Sequence, residues 1–96
     1  SRLERPTFVA LWRRAECRRV GFAVSRQLRG AAQRNRARRR IREAYRQVRS
    51  LIAGDVELVV VARPGAATRP FPELVEDMRR LADSLARLTS AARARA

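Results

Sequence analysis

The chain has 96 residues, enough for one domain with a small core and too few to enclose a large substrate cavity. Its 23 basic residues are all Arg and face 9 acidic ones, for a net charge of +14 and a pI near 12.0. That balance points to a polyanion, either nucleic acid or an anionic membrane surface.

Three segments carry a helical period and two read as strands. In Thr7–Ala15, Phe8, Leu11, Trp12 and Ala15 share a stripe and Thr7 suits the N-cap, which predicts a first helix. Val20–Ser25 is a short apolar strand. From about Ala31 to Ile52, Ala37, Ile41, Ala44, Tyr45, Val48, Leu51 and Ile52 gather on roughly a third of a helix circumference. Val56–Ala62 is a β-branched run bounded by Gly54-Asp55 and Arg63-Pro64-Gly65. A last helix runs from about Pro72 to Leu88. Leu74, Val75, Met78, Leu81, Ala82, Leu85 and Leu88 form its apolar face, with Glu73, Glu76 and Asp77 near its positive end. Residues 89–96 lack an apolar period and are expected to form a frayed or disordered tail. The whole, 1–96, reads as a single domain. It is an α+β chain in the order α-β-α-β-α, with a small sheet of two to three strands and helices packed on it.

Charge is concentrated in the first half. Residues 1–49 hold 16 Arg against 3 acids, a net +13, and residues 50–96 a net +1. The densest run is Arg34-Asn35-Arg36-Ala37-Arg38-Arg39-Arg40-Ile41-Arg42, followed by Arg46 and Arg49. On a helix, Asn35, Arg38, Arg39, Arg42, Arg46 and Arg49 share an arc of about 100°, beside the apolar stripe. So many adjacent cations repel one another, and a phosphate backbone relieves the repulsion while releasing counterions. The competing reading of a basic amphipathic helix is a membrane-surface or calmodulin-type segment. It conflicts with the need of two flanking strands for the same apolar face.

Catalytic chemistry is sparsely supplied. There is no His, and the one Cys, Cys17, can form neither an internal disulfide nor a thiolate cluster and has no base to activate it. Asp55 and Glu57 fall on one face of a strand, a placement more often met as strand-edge charge than as a metal site. No apolar run reaches the roughly 18 residues of a membrane span, and the charged N-terminal stretch is unlike a secretory signal. A reduced, cytoplasmic setting is expected.

Three stretches together carry a family resemblance. They are Gly21-Phe22-Ala23-Val24-Ser25-Arg26, then Gly30 to Arg46 with its Arg34-Asn35-Arg36 step, and Gly54-Asp55-Val56 through Arg63-Pro64-Gly65-Ala66. Over residues 20–88 the chain resembles the protein subunit of bacterial ribonuclease P. The resemblance implies an α/β sandwich in which the Arg helix makes a left-handed crossover between parallel strands, against the general rule. It implies a non-catalytic role in an endoribonuclease whose catalytic RNA removes the 5′ leader of precursor tRNA with Mg2+. No cofactor is expected on the protein itself, and it is expected to act as a monomer beside the catalytic RNA and precursor tRNA. Arg34, Asn35, Arg36, Arg38, Arg39, Arg42 and Arg46 are then the RNA-binding candidates.

The family carries two aromatics one turn apart on its first helix, beside a cleft for the single-stranded leader. Phe8 and Trp12 match those positions, and Arg26 matches a basic position near the leader path. Stacked aromatics hold unpaired bases without reading sequence; spacing alone favours two core residues that anchor the helix to the sheet, and the resemblance shifts the reading to the leader cleft. The chain also departs from the family. About twenty residues that form a hairpin between first helix and strand are missing on this reading, which predicts a sheet of two to three strands and a cleft short of one wall. A structural RNA-binding protein of another ribonucleoprotein, such as the ribosome, remains the alternative function. Sequence-specific DNA binding is disfavoured, because a strand stands where a short turn between recognition helices belongs.

Overall fold

The computed structural model describes residues 1–52 and 55–95, with side chains to residue 87. In chain order the elements are β1 (Arg2–Glu4), β2 (Phe8–Arg14), β3 (Arg19–Val24), α1 (Ala31–Val48), a 3-10 turn (Arg49–Leu51), β4 (Val56–Ala62), α2 (Gly65–Thr68) and α3 (Phe71–Arg95). The sheet has four strands in the order β1-β2-β4-β3. β2 pairs antiparallel with both β1 and β4, whereas β3 runs parallel to β4. Parallel neighbours need a crossover, and α1 supplies it.

Two expectations are corrected here. Thr7–Ala15 is not a helix: residues 8–14 form β2, paired along its whole length from Phe8↔Ala62 to Arg14↔Val56. The run Phe8-Val9-Ala10-Leu11-Trp12 is continuously apolar, so it satisfies a helical stripe and a strand alternation alike. The burial resolves the ambiguity: Phe8, Ala10 and Trp12 are buried while Leu11 is exposed, a period of two. Thr7 caps no helix. Its hydroxyl donates to Asp77 Oδ2 at 2.7 Å.

The second correction concerns the size of the sheet. It has four strands rather than two or three, because residues 2–14 supply an antiparallel pair through the turn at Arg5-Pro6-Thr7. The inferred loss of a hairpin rested on reading residues 7–15 as the helix before it, and the strand assignment removes that ground. The remaining elements stand close to expectation. β4 has the bounds read from the sequence, and α1 stops at Val48, where the 3-10 turn takes over. Helix α3 begins at Phe71 and continues to Arg95, so the expected tail at 89–96 falls partly on it. The side chains from 88 on, Leu88 included, together with Gly54 and residue 96, lie outside the described residues.

The core lies between one face of the sheet and the helices. Phe8, Ala10 and Trp12 of β2 and Val56, Leu58, Val60 and Ala62 of β4 meet Ala37, Ile41, Ala44, Tyr45 and Val48 of α1 and Leu74, Met78, Leu81 and Leu85 of α3. Each fully buried Phe, Ile, Leu, Val or Met side chain among them is worth about 1.5–3 kcal/mol relative to exposure. A polar contact fixes α3 to the β1–β2 turn: buried Asp77 accepts from Arg5 Nε at 2.8 Å and from Thr7. Gly65 opens α2 where a Cβ would stand 2.6 Å from the Pro6 carbonyl oxygen, so only glycine lets the two segments approach.

Candidate nucleic-acid interface

Helix α1 buries Ala37, Ile41, Ala44, Tyr45 and Val48 and turns its other faces outward. Ile41, Ala44, Tyr45 and Val48 repeat at three and four residues, which fixes the rotation of the helix and hence the direction of every Arg on it. Arg39, Arg42 and Arg46 are exposed, Arg38 is half-buried and Asn35 is exposed. These five make the outward ridge expected from the wheel, without Arg49, which falls in the 3-10 turn after α1. Along it the sole acid is Glu43, which reaches Arg46 at 3.5 Å.

The other Arg residues of the run have different work. Arg34 is half-buried and its Nη1 donates to the Ser25 and Leu28 carbonyls, at 3.2 and 2.8 Å, which closes the loop between β3 and α1. Arg36 Nε donates to the Ala67 carbonyl at 2.9 Å. Arg40 Nη1 donates to the Ala66 carbonyl at 2.7 Å, and Nη2 to the Arg69 carbonyl at 2.6 Å. Burial, and then the neighbouring Arg36 charge, push the Arg40 pKa below its ordinary value. Arg36 and Arg40 therefore clasp α2 onto α1, a role the sequence does not announce because both partners are backbone carbonyls. Of the two, Arg36 was expected at the RNA, and it is exposed.

The expected leader cleft is not built as read. Phe8 is fully buried and Trp12 is 8% exposed, both pointing from β2 into the core. No open aromatic pair exists at these positions, because on a strand residues four apart face the same way, and here that way is inward. Arg26 is exposed in the loop after β3. Sequence reasoning missed the opposite face of the sheet, where no described helix packs. Leu11 and Val59 are each 43% exposed there. A groove of about 230 Å3 is lined by Leu11, Arg13, Glu57 and Val59, together with Trp12. Arg13 and Glu57 form an ion pair across it. The hydrogen bond and charge of Arg13 hold the Glu57 pKa below the usual carboxylate range. Among the described residues, no three His, Cys, Asp or Glu side chains gather where a metal could sit. No described helix is long and apolar enough to cross a membrane.

With that geometry, the comparisons agree on one family. A ribonuclease P family model matches residues 1–86. The chain belongs to that family. It is 46% identical over 63 residues to the ribonuclease P protein component of Symbiobacterium thermophilum, covering 66% of this chain and 55% of that protein. It is 39% identical over 85 residues to the ribonuclease P protein component of Chloroflexus aurantiacus, covering 80% of this chain and 63% of that protein. The chain thus spans somewhat over half the length of these curated relatives. Among solved structures, the ribonuclease P protein of Thermotoga maritima superposes with a TM-score of 0.72 at 26% identity, over 84% of this chain and 79% of that one. The Staphylococcus aureus ribonuclease P protein shares the fold, with a TM-score of 0.67 at 24% identity. The α+β architecture of this chain is therefore that of known ribonuclease P proteins.

Proposed function

We propose that this chain is the protein component of a ribonuclease P ribonucleoprotein, docking on the catalytic RNA and assisting removal of the 5′ leader from precursor tRNA. The observation that carries the reading is the ridge of Arg38, Arg39, Arg42 and Arg46 on the solvent side of α1, in a chain whose first 49 residues hold net +13. A rigid helix anchored by five buried residues sets those cations at fixed spacing, which suits the phosphates of a folded RNA. The protein contributes charge and position. On this reading hydrolysis is assigned to the RNA and its Mg2+. Arg26 is retained as a candidate contact to the leader, whereas Phe8 and Trp12 are assigned to the core.

The ribosomal alternative uses the same ridge on a different RNA, and competition binding separates the two. The full chain, at fixed salt, is offered labelled ribonuclease P RNA with excess unlabelled ribosomal RNA or excess unlabelled ribonuclease P RNA. Displacement by the second at far lower concentration is the expected result. Equal displacement by both leaves only generic polyanion binding and overturns the assignment.

A further inference from the structure

Helix α1 and strand β3 meet at the free edge of the sheet. There the Phe22 ring, half-buried, sits on the side of β3 that packs against the core. The Tyr45 ring meets it edge-on, with centroids 5.4 Å apart and planes at 72°. Arg42, three residues before Tyr45 on the same helix, lays its guanidinium over the Phe22 ring with Cζ 5.9 Å from the centroid. Arg42 is exposed, and among the described residues no carboxylate or carbonyl holds its donors. It differs in this from Arg34, Arg36 and Arg40, which donate to backbone carbonyls, and from Arg46, which meets Glu43.

We propose that Phe22 is a positioning residue for RNA docking. The face of its ring holds the Arg42 guanidinium in place while leaving all five N–H donors free for phosphate. Tyr45, buried and packed edge-on, keeps the Phe22 ring from turning away. An acceptor such as a carboxylate would also fix Arg42, but it would consume donors and cancel charge; a ring does neither. An Arg already ordered loses less side-chain freedom when it meets phosphate, so affinity rises without any contact between Phe22 and the RNA. The inference rests on the reading of α1 as the docking helix.

The test is a double-mutant cycle on the full chain, with dissociation constants for ribonuclease P RNA measured over a range of salt. Phe22→Leu keeps an apolar side chain and removes the ring. It is expected to weaken binding about twofold to fivefold, the size of an exposed cation–π contact. Phe22→Tyr restores the wild-type value. On an Arg42→Ala background, Phe22→Leu has no further effect, whereas on an Arg46→Ala background its effect persists. A merely structural Phe22 would weaken binding on both backgrounds alike, and that result overturns the proposal. So does an Arg42→Ala loss with Phe22→Leu binding unchanged. If Arg39→Ala, Arg42→Ala and Arg46→Ala all bind as the parent does, the docking reading itself falls, and the proposal with it.

Discussion

Phe8 and Trp12 lie on the inner face of β2, on either side of Ala10, and that face decides what their removal does. Phe8→Ala should lower stability by about 3–5 kcal/mol, the range for a large aromatic emptied from a packed core. Chemical denaturation of purified variants checks this, with Leu11→Ala on the outer face as the comparison; Leu11→Ala should stay within about 1 kcal/mol of the parent. Gly65→Ala places a methyl against the Pro6 carbonyl oxygen and should cost about 1–3 kcal/mol, although alanine is ordinarily the better helix former. A neutral or stabilising Gly65→Ala would show that α2 and the β1–β2 turn are not held as close as described. Asp77→Ala strands the Thr7 hydroxyl and the Arg5 guanidinium together, at about 1–3 kcal/mol. Asp77→Asn should recover part of that, since its carbonyl oxygen can still accept from one of them.

At the level of elements, α1 carries two kinds of Arg that the sequence writes identically. Arg39→Ala and Arg46→Ala remove ridge charges. Each should weaken RNA docking by about 1–2 kcal/mol and lower the slope of log affinity against log salt by about one, with little change in melting temperature. Arg40→Ala breaks the clasp on α2 and should do the opposite, lowering stability by about 1–3 kcal/mol while leaving the salt slope nearly intact. Measuring both quantities on all three variants separates the roles. The sequence disclosed α1, β4 and the start of α3 because each has an unbroken period and clear boundaries. It disclosed the ridge because charge and rotation of a long helix follow directly from spacing. It misassigned β2 because five consecutive apolar residues fit either period, and only pairing with β4 settles the choice. The clasp of Arg36 and Arg40 and the open outer face of the sheet were hidden for a related reason. Both depend on which distant segments come together, and backbone carbonyls leave no mark in a sequence.

For the whole molecule the governing quantity is +14 on 96 residues. Self-repulsion in the first half opposes the compact state, so anions that bind the folded chain should raise its melting temperature. Phosphate or a short oligonucleotide should do so beyond NaCl of equal ionic strength; identical shifts would show screening without sites. The proposed role of this chain is that of an RNA-docking subunit, with the α1 ridge as its docking surface. The most direct measurement of that claim is the rate of precursor-tRNA cleavage by a ribonuclease P RNA at limiting Mg2+, with and without the full chain, alongside the chain freed of all RNA. The account predicts faster cleavage when the chain is added, a smaller gain with Arg39→Ala plus Arg46→Ala, and no cleavage by the chain alone. An RNA whose rate ignores the chain, or cleavage by the RNA-free chain, would contradict it.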